Sequence, residues 1–222
     1  MINYSEPCID HTDILKVTES LLSPILTQGG YLDEFEKQIK LTTRSPNTCV
    51  VANATAALHL TCKALGFDSN TLVWVPAITF VSTANAARFC GSKVEFIDVD
   101  PSTSNICCAS LEDQLISAEA IGRLPDYLFI VHMAGTPCDL DRIFQLCLRY
   151  SIKIIEDASH ALGARYFERP IGSFAQTEAT IFSFHPVKMI TTGEGGAVVS
   201  HRSGLINQIR KLSSHGIKRS GQ

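Results

Sequence analysis

No surplus of basic residues marks this sequence: 19 Lys and Arg stand against 22 Asp and Glu, a formal charge of −3. Neutralising a phosphate backbone needs the opposite balance, so nucleic-acid binding is not expected. Long apolar runs are missing too, and stretches such as Tyr127 to Val131 fall far short of a membrane span. The opening residues, MINYSEPCID, hold neither a basic n-region nor an apolar h-region, which makes the cytoplasm the expected location. Neither a Walker loop nor a G-x-G-x-x-G is present, disfavouring nucleotide binding of those kinds. The eight cysteines form no C-x-x-C pair and no Cys/His cluster with zinc spacing. Spread from Cys8 to Cys147, several within apolar patterns, they read as reduced thiols acting as small hydrophobes. Internal repeats and interdomain linkers are absent. What remains is ordinary globular composition, with 45% of 222 residues apolar and 18% charged, enough for one good-sized core.

Short β-type runs recur: CVVA (49–52), LVWV (72–75), KVEFID (93–98), YLFIVH (127–132), KIIE (153–156), TIFSF (180–184) and GAVVS (196–200). Most are nearly continuous rather than alternating, as parallel strands covered on both faces should be. Helical patterns lie between them. One runs from about Thr55 to Leu65 with Leu58, Cys62 and Leu65 on one face. Another starts after Pro137 with Asp139 as N-cap and a stripe of Leu140, Ile143, Phe144, Cys147 and Leu148. Ser110 with Asp113 resembles a capping box ahead of Leu115 and Ile116, and a last helix carries Leu205, Ile209 and Leu212 on one face. Alternating strand and helix predicts a doubly wound α/β fold, a mostly parallel seven-stranded sheet with helices on both faces. Ligands of such sheets sit beyond the carboxyl ends of the strands.

Each strand end offers a candidate with a plainer rival. After CVVA, Asn53-Ala54-Thr55 leads straight into a helix, whose free N–H groups and hydroxyl suit an anion, most often phosphate; Asn53 or Thr55 as a simple cap is the rival. After LVWV comes Phe80, an aromatic that could equally be core. After KIIE comes Asp157, costly to bury unpaired, or else a cap for the segment from Ala158. After TIFSF, Lys188 lies among Val187, Met189 and Ile190, where burial favours the neutral, nucleophilic amine, although a loop lysine is commonly just solvated. Together they make the set that pyridoxal 5'-phosphate (PLP) requires: a helix start for its phosphate, a lysine for its aldehyde, a carboxylate for its pyridinium nitrogen and an aromatic over its ring.

NATAALHL, VPAITFVSTANAARFCGSKVEFIDVD, IIEDASHALGARY and FSFHPVKMITTGEGGAVVS resemble the DegT/DnrJ/StrS sugar aminotransferases, PLP enzymes of fold type I. The likeness runs from about Tyr4 to His215. YSEPCID and LTQGGYLDEFE resemble more narrowly the branch of that family serving pseudaminic acid synthesis. The resemblance implies that Lys188 forms the Schiff base and shuttles the proton, and that Asp157 pairs with the ring nitrogen. It implies that Phe80 stacks on the ring, and that Ala54, Thr55 and Ser183 hold the phosphate. His160 falls where many relatives carry Gln, near the cofactor's 3-hydroxyl. Relatives with histidine in place of the lysine dehydrate instead; this chain keeps Lys188.

Family chains continue well beyond the position of Gln222, through a small domain that closes over the site, and are homodimers. The resemblance therefore implies that residues 1–222 are the PLP-binding large domain of such an enzyme. The expected activity is transfer of an amino group from glutamate to a nucleotide-linked 4-keto-6-deoxy sugar. The alternative is a catalytically inactive fragment that binds PLP or a partner. A cysteine desulfurase is disfavoured, because none of the eight cysteines has a catalytic-loop context.

Overall fold

Apolar runs that can bury both faces pair edge to edge, and all seven do so here. The computed structural model describes residues 5–217; the ends of the expected 1–222 domain, residues 1–4 and 218–222, lie outside it. Chain order is α1 (His11–Leu21), α2 (Gly30–Thr43), β1 (Asn47–Val51), α3 (Ala54–Ala64), β2 (Leu72–Pro76), α4 (Val81–Arg88), β3 (Lys93–Ile97), α5 (Cys108–Ala120) and β4 (Tyr127–Val131). A 3-10 turn at Met133–Gly135 precedes α6 (Leu140–Arg149) and β5 (Lys153–Asp157). The short hairpin of β6 (Arg165–Tyr166) and β7 (Arg169–Pro170) leads to β8 (Thr177–Ser183), β9 (Gly196–Ser200) and α7 (Ser203–Ser213).

The seven-stranded sheet has the order β1-β9-β8-β5-β4-β2-β3. Pairs β2–β3, β2–β4, β4–β5 and β5–β8 are parallel, while β9 runs against both β8 and β1. β1 thus shares the direction of β8, and β9 alone is reversed. The ends of β1, β2, β3, β4, β5 and β8 therefore reach the same rim as the start of β9.

Alternate strand residues feed two cores. Trp74, Leu128, Ile130, Ile154 and Phe182 pack with Leu111 and Leu115 of α5 and Leu140 and Ile143 of α6. Val73, Val75, Phe129, Ile155 and Ile181 pack with Leu58 and Cys62 of α3, Ala86 and Ala87 of α4, and Leu205 and Ile209 of α7. The mostly parallel, doubly covered sheet matches the sequence expectation. All eight cysteines are free; Cys49, Cys62, Cys138 and Cys147 are buried as expected, but Cys8 is exposed.

Three local expectations are corrected. Leu148 is 83% exposed, because the buried arc of α6 is centred on Ile143 and Cys147 and takes in Leu146 instead. Ile116 is exposed beside the buried Leu115. Helix α5 begins at Cys108 with Cys107 as N-cap, so Ser110 lies inside the first turn rather than capping it. The amide of Cys107 is tied to Asp98 O at 3.1 Å, which sets the start earlier. Asp139 does cap α6, accepting from Arg142 N.

One close approach fixes the rim. Gly196 pairs with both Val51 and Ser183 at the start of β9. A Cβ there would lie 2.4 Å from Asn53 C and 2.6 Å from Ala54 N, both backbone atoms that cannot swing aside. Only glycine lets β9 begin directly under the first turn of α3. Gly196→Ala is expected to destabilise the chain by about 2–3 kcal/mol in urea unfolding, within the range for overpacking. Wild-type stability would show that the junction is loose.

Candidate active site

Five strand-end segments converge on one cavity of about 590 Å³. Its lining includes Ala54, Thr55, Phe80, Asp157, His160, Ser183 and Lys188, all seven residues singled out from the sequence, together with Met133, Ser159, His185 and Glu194.

At the head of α3, Asn53 is extended and its side chain accepts from Ala56 N at 2.9 Å. The plain capping role is therefore real. It nonetheless leaves the amides of Ala54 and Thr55 in a first turn that has no intrahelical acceptor, at the positive end of the helix dipole. The Thr55 hydroxyl is 2.7 Å from Ser82 Oγ in α4. Phe80, the N-cap residue of α4, is 70% exposed and not core, so its ring is an uncovered aromatic surface at the cavity.

Asp157 ends β5 and is 4% exposed. Burial of a carboxylate demands partners. Thr83 Oγ1 donates to Oδ2 at 2.6 Å and Ser159 N donates to Oδ1 at 3.2 Å. The second bond is the local cap-like contact of the rival reading, but the first crosses to another helix and the carboxylate lines the cavity.

Lys188 sits on a turn pinned at its base. Phe184 N donates to Gly195 O at 2.9 Å, and Phe184 O accepts from Thr191 Oγ1 and Thr192 N, each at 3.0 Å. Half-burial pushes the Lys188 pKa below that of an ordinary lysine, and the charge of Asp157 partly restores it. His160 has its pKa lowered, first by burial and then by Lys188, while Asp157 opposes both. Its Nδ1 accepts from Ala134 N at 3.2 Å. In the neutral ring this leaves the proton on Nε2. The donor comes from a residue with positive φ, Ala134 at 51°, beside Gly135, whose Cβ position lies 2.8 Å from His160 O. Backbone held in that region beside a cavity is characteristic of functional turns.

Thr83, Ser82 and Ser159 were not singled out from the sequence. A hydroxyl three residues after Phe80 falls on the same helical turn, a spacing that could have pointed to Thr83. The contact to Asp157, 74 positions away, has no local signal.

A doubly wound sheet carrying lysine, carboxylate, aromatic and helix start on one rim defines a PLP-enzyme class of architecture. The chain belongs to the DegT/DnrJ/EryC1/StrS aminotransferase family, whose profile matches residues 7–222. It is 44% identical over 218 residues to the UDP-4-amino-4,6-dideoxy-N-acetyl-β-L-altrosamine transaminase of Campylobacter jejuni, covering 98% of this chain and 56% of that one. Helicobacter pylori PseC, an aminotransferase involved in the biosynthesis of pseudoaminic acid, superposes with a TM-score of 0.87 at 33% identity, over 99% of this chain and 57% of its own. Spr1654 from Streptococcus pneumoniae, solved in PLP and PMP forms, gives 0.86 at 28% identity over 97% of this chain and 58% of its own. The chain thus spans a little over half the length of these relatives.

The opposing influences on Lys188 yield a signed prediction. Burial lowers its pKa and Asp157 raises it, so Asp157→Asn removes the raising charge and should lower the pKa further. The pH dependence of Lys188 acetylation, read by mass spectrometry, is the check. An unchanged or higher midpoint would mean that the two groups do not sense one another.

Proposed function

We propose that residues 1–222 are the PLP-binding large domain of a cytoplasmic nucleotide-sugar aminotransferase. It would move an amino group between glutamate and a UDP-linked 4-keto-6-deoxy sugar of the pseudaminic acid type. The observation that carries this reading is the placement of Lys188 and Asp157 on one cavity with the head of α3 and an uncovered Phe80 ring. The sugar class is supported by the C. jejuni and H. pylori relatives. Eight free thiols suit a reducing compartment. Among the described residues no helix is long and apolar enough to cross a membrane.

The residues fit the cofactor piece by piece. The amides of Ala54 and Thr55 and the hydroxyls of Thr55 and Ser183 would take the phosphate. Phe80 would cover one face of the ring. Asp157, already held by two donors, would keep a proton on the ring nitrogen. His160 would offer Nε2–H to an oxygen substituent. PLP, when bound, supplies an electron-withdrawing ring that stabilises negative charge on the substrate carbon. Lys188 would hold the cofactor and then, through Nζ, move the proton at the carbon that gains or loses nitrogen. Its lowered pKa makes the free amine available nearer neutral pH than that of a solvated lysine. Exclusion of water and positioning of the sugar call for a closing element and a partner subunit, and a homodimer fits the family.

The coverage of relatives favours one second reading, a unit that binds PLP without turnover. Borohydride reduction of the PLP-treated chain and peptide mapping should place the label on Lys188; a label on another lysine overturns the proposal. Transfer from 15N-glutamate to the UDP-linked 4-keto sugar, followed by mass spectrometry, then separates the readings. Label at Lys188 without transfer by the chain, even when joined to the C-terminal half of the C. jejuni relative, supports binding alone.

A further inference from the structure

Helix α4 brings more to the cavity than Phe80. Its first turn places Ser82 against Thr55 at 2.7 Å and Thr83 against Asp157 at 2.6 Å. Thr83 is fully buried, and its Oγ1 lies 2.8 Å from Thr79 Oγ1. The proton inventory gives this chain a direction. An ionised Asp157 can only accept, so the single Thr83 proton goes to Oδ2. Thr83 must then accept from Thr79, whose hydroxyl is the donor at the outer end. The O···O distance at Asp157 falls in the short range of charge-assisted bonds. With Ser159 N on Oδ1, each carboxylate oxygen has one protein donor, and rotation about the last side-chain bond is blocked from both sides.

We propose that Thr83 is a positioning residue for Asp157, oriented in turn by Thr79, so that α4 sets the direction of the carboxylate as well as the place of the aromatic ring. This rests on the reading that Asp157 meets the ring nitrogen of PLP. The two hydroxyl contacts of α4 lie toward opposite ends of that cofactor: Ser82 reaches the phosphate turn through Thr55, and Thr83 reaches the acid. A shift of this helix would therefore move the phosphate anchor, the stacking ring and the acid together. Lys188 and His160 also sense the charge of Asp157, and both would feel a rotated carboxylate.

The test uses Thr83→Val, which keeps the shape and deletes the hydroxyl, with Thr83→Ser as rescue and Thr79→Val one step removed. PLP affinity is measured by fluorescence quenching, and the pH midpoint of the visible band of the PLP-loaded chain by absorbance. A protonated ring nitrogen adds positive charge near the linkage to Lys188 and keeps that midpoint low. When the carboxylate is free to turn away, the midpoint should rise, by about half a unit. Affinity should fall roughly tenfold, equivalent to about 1.4 kcal/mol. Thr83→Ser should stay within about twofold of wild type, and Thr79→Val should show the same changes at smaller size. Unchanged affinity and midpoint in Thr83→Val overturn the proposal, as does a Thr83→Ser variant as impaired as Thr83→Val. Should Thr83→Val fail to fold, an unaltered Thr79→Val overturns it equally. A wild-type chain that takes no PLP on Lys188 defeats the functional reading itself, a result distinct from all of these.

Discussion

A carboxylate cannot be buried alone, and the candidate site is organised around that constraint at Asp157. Charge at 4% exposure requires donors in place before any ligand arrives. The chain supplies one locally, through Ser159, and one from the first turn of α4, through Thr83. Meeting the second demand fixes α4 against the end of β5. That docking in turn sets Phe80 at the cavity mouth and brings Ser82 to Thr55 at the head of α3. The remaining side of the rim is set by Gly196, where the backbone of β9 passes beneath Asn53 and Ala54. The head of α3, the Phe80 ring and Asp157 are thus linked through contacts between secondary elements.

Much of this was legible in the sequence, for a physical reason. Strands buried on both faces must be apolar at nearly every position, so most of the seven runs stood out, and even the edge run KVEFI, buried only at Ile97, became a strand. Residues that follow such runs must lie on a rim, so Ala54, Thr55, Phe80, Asp157 and Lys188 could be grouped before their distances were known, whereas Ser183, inside its run, is reached only through the family resemblance. What stayed hidden depends on pairing and rotation. The reversal of β9 leaves no mark in GAVVS, since a strand buried on both faces reads alike in either direction. Leu148 belongs to an apolar stripe on α6, yet the helix is rotated so that Ile143 and Cys147 face the sheet and Leu148 faces water. Cys107 starts α5 because its amide is held by Asp98, a contact that a local capping pattern cannot express. Thr83 looks like any polar residue of an amphipathic helix until the carboxylate opposite is seen.

The pair Glu156-Asp157 shows how one strand separates a fully enclosed acid from one that faces the cavity. Adjacent residues in β5 point to opposite faces of the sheet, and both are buried. On one side, Glu156 Oε2 is 2.8 Å from His132 Nε2 and Oε1 accepts from Thr180 at 2.7 Å. Cys138 N donates to His132 Nδ1 at 3.1 Å, so the ring proton that faces Glu156 is the one on Nε2. This cluster ties β4, β5 and β8 together beneath the cavity, with no solvent contact at either His132 or Glu156.

On the other face Asp157 also receives one donor per oxygen, but those donors leave part of it facing the cavity. The same strand therefore holds one carboxylate fully enclosed by protein and its neighbour held in orientation with a side left open. Removing either acid would disturb β5, yet for different reasons. Loss of Glu156 would strand the His132 ring and the Thr180 hydroxyl in a closed core, where unmet polar groups are most costly. Replacing Asp157 by Asn would leave an oxygen for one of the two donors, Thr83 or Ser159, and would change the electrostatics that Lys188 and His160 experience. Packing alone thus separates an acid enclosed by protein from one open to the cavity.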